Sequence, residues 1–207
     1  MTAALRHAWD ARVRQGIAPR YFDRQLGCEV IKVLPGEYEV SAADVTLLTL
    51  LGSCVAACIR DPLAGVGGMN HFMLPDDERG TGGTNARYGA YAMEVLINEL
   101  LKRGGQRHRL EAKVFGGGNV IRSMTGITVG NRNAEFVLDY LAREGIVVAA
   151  HDLGGEDARK VAYHVKSGRV RVRHLPVAAT VADLTAEQAY GRDLRRASLA
   201  GEVEIFE

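Results

Sequence analysis

The chain has 207 residues, 47% of them hydrophobic and 25% charged. By the usual ~150-residue prior that is one domain of ordinary globular composition, and a disordered polypeptide is excluded. Lysine and arginine number 26 against 25 acidic residues, so nothing in the charge balance calls for a nucleic-acid or membrane-surface partner.

The three cysteines, Cys28, Cys54 and Cys58, are too few and too odd in number for a disulfide framework, which points to a reducing compartment. Residues 1–24 carry Arg6, Arg12, Arg14, Arg20 and Arg24 without the apolar core of a secretory signal. They read as the N-terminal arm of a cytoplasmic protein. Cys28–Val33 and Tyr38–Ser41 read as short strands on either side of a Pro35-Gly36 turn. From Val45 to Ile59 no charged residue occurs. The run falls short of the ~20 residues a membrane-spanning helix needs, and Thr46, Thr49, Gly52 and Ser53 interrupt it. Two buried strands meeting at Gly52-Ser53 are expected. Asp61-Pro62 and Gly65 mark a turn, and Val66–Leu74 follows as a strand in which Gly67 and Gly68 allow a close backbone approach. Residues 75–85 form a polar loop suited to walling a substrate site.

Two helices follow. Met93, Leu96, Ile97, Leu100 and Leu101 share one face of the first, with Thr84 or Asn85 as cap and Gly104-Gly105 as stop. Ala134, Val137, Leu138 and Leu141 repeat the pattern in the second, which ends at Gly145. Between them Leu110–Phe115 is a strand running into Gly116-Gly117-Gly118. After them come the strand Ile146–Ala150 and a hairpin turning at Lys166-Ser167-Gly168, with Val161, Tyr163, Val165, Val170 and Val172 on one face and Arg169, Arg171 and Arg173 on the other. Residues 185–197 suggest a short helix, and Glu202, Glu204 and Glu207 make an acidic end. The expected organisation is an N-terminal arm (1–24), an α+β domain of packed β-sheets flanked by helices (25–176) and a C-terminal extension (177–207).

The chemistry centres on Gly52-Ser53-Cys54 and Gly68-Met69-Asn70-His71. A thiol becomes a strong nucleophile when a histidine within hydrogen-bond reach takes its proton and stabilises the thiolate, and the amides of a glycine-bearing loop can face the resulting oxyanion. On composition alone, a cysteine in an apolar run is more often a small core residue. Zinc on Cys54, Cys58 and His71 lacks the Cys-x2-Cys spacing and a fourth ligand. Gly116-Gly117-Gly118 has Ile121 where a nucleotide loop needs its third glycine, and reads as a turn against which another backbone packs. Ser53 lacks the Gly-x-Ser-x-Gly context of a serine nucleophile.

Taken together, the blocks Thr49-Leu-Leu-Gly-Ser-Cys54-Val, Gly67-Gly-Met-Asn-His71-Phe-Met-Leu-Pro75, Lys113-Val-Phe-Gly-Gly-Gly-Asn119, Gly130-Asn-Arg-Asn133 and Asp152-Leu-Gly-Gly155 resemble the CheD family, the chemoreceptor glutamine deamidases of bacterial chemotaxis. The resemblance spans roughly residues 20–175 in the family's order. It implies a cysteine-hydrolase fold akin to the cytotoxic-necrotizing-factor deamidases and a catalytic pair at Cys54 and His71. A threonine upstream of the cysteine assists, at Thr49 or at Thr46. It implies a protein-glutamine glutaminase that converts receptor glutamines to glutamate through a thioester, with no metal or organic cofactor. The implied partners are chemoreceptor cytoplasmic helices as substrate and a CheC-type phosphatase, with no nucleic acid and no membrane insertion. Asn131 departs from the acidic residue of the Gly-Glu-Arg-Asn form of its block. Two other readings of the same residues are a transglutaminase-like acyltransferase and an adaptor in which deamidation is secondary.

Overall fold

Apolar, β-branched segments of five to seven residues between glycine turns dominate the chain, and in the structure, a computed structural model, they form two mixed sheets. Residues 14–15, 20–74, 83–120, 128–175, 185 and 188–194 are described. The strands are β1 (Arg14–Gln15), β2 (Tyr21–Asp23), β3 (Cys28–Lys32), β4 (Glu37–Ser41), β5 (Val45–Leu51), β6 (Val55–Asp61), β7 (Val66–Asn70), β8 (Glu111–Gly116), β9 (Val147–Leu153), β10 (Ala158–His164) and β11 (Arg169–Leu175). The long helices are α1 (Gly83–Lys102) and α2 (Val129–Arg143). The six-stranded sheet runs β1-β4-β7-β6-β8-β9 and the five-stranded sheet β11-β10-β5-β3-β2. This is the expected α+β domain of packed sheets with helices.

The layers follow from which side each residue faces. On β7, Gly68 packs against Leu96 of α1, and the Asn70 amide donates to the Ala92 carbonyl of the same helix. The adjacent Gly67 faces the other way, toward the Tyr163 hydroxyl on β10. Helices therefore cover one face of the six-stranded sheet and the five-stranded sheet covers the other. Glycine is required at Gly68, where a Cβ would meet the Glu39 carbonyl oxygen at 2.7 Å, and a Cβ on Gly67 would have to displace the Tyr163 hydroxyl, 2.5 Å away.

The uncharged run of residues 45–59 is two strands, as its composition indicates, but they lie in different sheets. β5 ends at Leu51 in one sheet, the chain bends through Gly52-Ser53, and β6 begins at Val55 in the other. Both long helices stop at the glycines expected of them. Gly104 and Gly145 adopt φ +94° and +66°, and the following N–H groups return to Leu100 O and Leu141 O at 3.0 Å.

Several details differ from the sequence pattern. Helix α1 begins at Gly83, so Thr84 and Asn85 lie within its first turn rather than capping it. Leu138 is 36% exposed, and α2 meets the core through buried Val137 and Leu141 and through Phe136, which packs edge-on against Phe72. β9 continues to Leu153, three residues past the expected end, carried by parallel pairing with β8. Within the arm, Arg14–Gln15 pairs with β4 and Tyr21–Asp23 with β3. Within the C-terminal extension, residues 188–194 are helical and Leu194 is buried. Most of the polar loop, residues 75–82, lies outside the described residues, as does the acidic end. No helix among the described residues is long and apolar enough to cross a membrane.

Asp61, fully buried, accepts from the Leu63, Ala64 and Gln106 amides at 2.9–3.0 Å and from Arg109 at 2.6 Å. The hydrogen bond from Arg109 outweighs burial and holds its carboxyl well below the usual carboxylate range. A group depressed in the folded state stabilises fully above its unfolded pKa, about 3.9, and that contribution drains away as the pH falls from there. Asp61→Ala is expected to cost about 3 kcal/mol by urea unfolding at neutral pH, and the difference from wild type should shrink steadily below about pH 4.

Candidate active site

His71 follows β7 directly, and its main chain is anchored to the start of β4: its N–H donates to Glu37 O at 2.9 Å and its carbonyl accepts from Gly36 N at 2.8 Å. The next residue, Phe72, exchanges both backbone hydrogen bonds with Val55 at 2.9 Å. That antiparallel pair continues the β6–β7 register, in which Cys58 faces Met69. Continuing the register places His71 opposite Ala56 and Cys54 opposite Met73. Cys54 and His71 are then diagonal neighbours on one face, the face turned toward the five-stranded sheet, at the separation of ~7–8 Å that long side chains bridge. Both are buried, at 0% and 1% exposure.

Across the sheet interface stands Thr49 of β5, 4% exposed, its hydroxyl oxygen 2.8 Å from His71 Nδ1 and 2.7 Å from the Val33 carbonyl. A hydroxyl has one proton, and a carbonyl can only accept it. The Thr49 proton therefore goes to Val33, and Nδ1–H of His71 donates to Thr49. In the neutral ring this leaves the lone pair on Nε2, so the tautomer is fixed by the geometry. Of the two threonines the sequence leaves open, Thr49 is the one at the imidazole. Thr46 instead contacts Cys28 Sγ, at 3.2 Å.

The loop that presents Cys54 is held at each carbonyl. Gly118 N donates to Gly52 O at 2.8 Å, Asn133 Nδ2 to Ser53 O at 2.8 Å, and Gly117 N to Cys54 O at 2.7 Å. The three-glycine run is thus a brace on which another backbone lies, as its spacing indicates. A Cβ on Gly116, at φ +110°, would stand 2.2 Å from Cys54 O. The Asp152–Gly155 block supports the brace from behind: Gly154 N donates to Gly116 O, and Asn119 N donates to Gly155 O. Buried Arg159 reaches Asp152 at 2.9 Å and Gly154 O at 2.6 Å. Burial raises the Asp152 pKa, but hydrogen bonds and charge from Arg159 and His174 pull it below the ordinary value.

The chain is similar to known proteins along nearly its whole length. A probable chemoreceptor glutamine deamidase CheD of Cupriavidus metallidurans is 54% identical over 93% of this chain and 91% of its own. One of Dechloromonas aromatica, named CheD 1, is 52% identical over 98% of this chain and 100% of its own. The family model described as CheD chemotactic sensory transduction matches residues 73–174. The chain belongs to the CheD family. Among solved structures, a Neisseria meningitidis protein of the family model DUF152 aligns with a TM-score of 0.40 and 13% identity, covering 64% of this chain and 65% of its own.

Several other polar residues of this CheD chain have partners within the fold. Cys58 is buried on β6, and burial pushes its thiol up, only partly offset by Lys113, which keeps it a neutral core residue. His164 pairs with Asp44 at 3.0 Å and His174 with Asp152 at 2.9 Å. Among the described residues no three His, Cys, Asp or Glu side chains converge as a metal site requires. Asn131 is exposed and accepts from Asn119 Nδ2 at 3.2 Å. Two residues whose position the sequence showed but whose role it did not are the buried asparagines. Asn70 receives Ala57 N at 2.9 Å beside His71, and Asn133 joins Ser53 O to Leu74 N, both at 2.8 Å. The available signal was their proximity in sequence to apolar runs, where an amide survives only when fully bonded.

Proposed function

We propose that this chain is a chemoreceptor glutamine deamidase in which Cys54 is the nucleophile, His71 the acid–base and Thr49 the residue that orients the imidazole. The observation that carries the reading is the Thr49–His71 hydrogen bond across the two sheets, because it leaves Nε2 as the basic nitrogen on the ring that shares a face with Cys54. The names of the relatives supply the substrate class, glutamine side chains of chemoreceptors, and the family resemblance points to the receptors' cytoplasmic helices as the part that carries them. Nε2 takes the thiol proton, and Sγ attacks the carboxamide carbon. His71 then protonates the departing nitrogen, ammonia leaves, and a thioester remains. Water, deprotonated by the same nitrogen, cleaves the thioester to glutamate and restores the thiol. No step calls on a metal or an organic cofactor.

The two packed sheets with helices on one face are read as the cysteine-hydrolase architecture of the cytotoxic-necrotizing-factor deamidases. A cytoplasmic location and a CheC-type phosphatase partner belong to the same proposal, and partner binding is expected to survive loss of the Cys54 thiol. The direct test is a mass spectrum of a receptor cytoplasmic fragment before and after incubation. Each conversion of amide to acid adds about one mass unit, and an unchanged spectrum would refute the reading. Added amines that enter the product in place of water would favour acyl transfer.

The role of Thr49 has its own test. Thr49→Val keeps the shape but removes the oxygen that receives Nδ1–H, so the ring loses both orientation and tautomer. Turnover is expected to fall about tenfold to a hundredfold, a part of the ~10²–10⁴ that a positioned acid–base contributes. Thr49→Ser should restore most of it. Equal activity of the valine and serine variants in an ammonia-release assay would remove Thr49 from the mechanism.

A further inference from the structure

Asn133 sits in the second turn of α2, fully buried, and both ends of its amide are engaged with the two segments that carry Cys54 and His71. Nδ2 donates to the Ser53 carbonyl at 2.8 Å, and Oδ1 accepts from Leu74 N at 2.8 Å. The helix comes close enough for this because Gly130 lies on Gly117: a Cβ at Gly130 would meet Gly117 O at 2.4 Å.

The bond to Ser53 differs in kind from those to its neighbours. The Gly52 and Cys54 carbonyls are held by main-chain amides, whereas Ser53 O is held by a side chain. The Ser53 carbonyl belongs to the same planar peptide unit as the Cys54 N–H, and in a trans peptide the two point in opposite directions. Fixing one therefore aims the other. When a thiolate adds to a carboxamide, the carbonyl electron pair moves onto oxygen, and the nucleophile's own N–H is well placed to meet that charge if the plane is correctly turned. A flipped plane would present the Ser53 carbonyl to the developing negative charge instead.

We propose that Asn133 is a positioning residue for deamidation, setting the Ser53–Cys54 peptide plane so that the Cys54 N–H faces the oxyanion formed on the glutamine side chain. The inference rests on the assignment of Cys54 as nucleophile. Through Leu74 the same amide keeps the nucleophile loop in register with the segment that follows His71. Asn133 touches no reacting atom.

Asn133→Asp has nearly the same shape and can still accept from Leu74, but it places an oxygen against Ser53 O. Asn133→Ser is too short to reach both groups. In each, turnover of a receptor cytoplasmic fragment is expected to fall about 10- to 100-fold, less than or equal to the ~10²–10³ lost with an oxyanion donor, with KM unchanged. Alkylation of Cys54 by iodoacetamide forms no oxyanion, so its rate and pH profile should match wild type. Full turnover in either folded variant would overturn the proposal. So would a shift of the alkylation profile in step with turnover, which would put Asn133 on the thiol–imidazole pair.

A measurement on the unaltered protein needs no variant to fold. A receptor peptide whose target glutamine is replaced by the side-chain aldehyde adds Cys54 as a hemithioacetal, and the Cys54 amide proton should move downfield by NMR. An unmoved signal in the formed adduct would overturn the inference. Cys54→Ala separates the two levels. If that variant still deamidates, the nucleophile assignment fails; if it is inactive while Asn133→Asp is fully active, only the role of Asn133 fails.

Discussion

Cys54→Ala is expected to reduce ammonia release from a receptor fragment to the uncatalysed rate, with no mass change on the fragment after prolonged incubation. The expectation rests on the covalent route. Without sulfur there is no thioester, and a buried imidazole alone has no group to deliver to the carboxamide carbon. The fold should survive. Cys54 is fully buried beside Gly117 and Val55, and the loop around it is held through main-chain carbonyls that the substitution leaves in place. Removing one sulfur from a packed site costs about 1 kcal/mol, in the common range for a small core change. Cys54→Ser is the more exacting control, since it keeps an oxygen nucleophile of similar size that the histidine cannot readily ionise, and it too should be inactive. Substantial turnover by the alanine variant would place the nucleophile elsewhere. Cys58 is a poor substitute, because burial holds its thiol in the neutral form.

How far this centre was legible in sequence depended on the distance over which each contact acts. Alternation and glycine punctuation are local signals, and they gave the β5 and β6 segments, the Gly104 and Gly145 helix stops, and the hairpin in which Val161 faces Val172. The expectation that the glycines of residues 116–118 receive another backbone was legible for the same reason: three adjacent residues without a Cβ have few other uses. Local patterns do not say which sheet a strand joins. Nothing in residues 45–59 announces that β5 and β6 part company at Gly52, yet that crossing puts Thr49 opposite His71 instead of beside it. The choice between Thr49 and Thr46 depended on that crossing. Leu138 is more exposed than its pattern suggests, because the four-residue stripe Ala134, Val137, Leu138 and Leu141 gives the apolar side of the helix but not how much of that side its neighbours cover. Asn133 and Arg159 act over gaps of 80 and 7 residues to fix Ser53 and Asp152, and such bonds leave no periodic trace.

His71→Ala should fall nearly as far as Cys54→Ala, by about 10³-fold or more, because in the proposed mechanism one residue serves both the proton removal and the departure of ammonia. A positioned acid–base contributes ~10²–10⁴ to a single step, and the proposed route uses it in acylation and in thioester hydrolysis. The variant also discriminates the activating partner. With the imidazole present, the thiolate forms beside a cation that stabilises it, so alkylation of Cys54 should proceed well at neutral pH. Without it, the reaction should require a pH nearer the ordinary thiol value of about 8.5 or above, since burial opposes the charged form. Some stability must also go, because Thr49 loses its donor and the ring leaves a hole between the sheets; a loss of about 2–3 kcal/mol is expected. His71→Gln guards against misreading that loss, since it fills more of the space and can still donate toward Thr49 but cannot carry the proton. If the glutamine variant folds like wild type and is as inactive as alanine, proton transfer by His71 is the cause. If either variant alkylates with the wild-type pH profile, some group other than His71 activates the thiol, and the pairing inferred from the β6–β7 register is wrong.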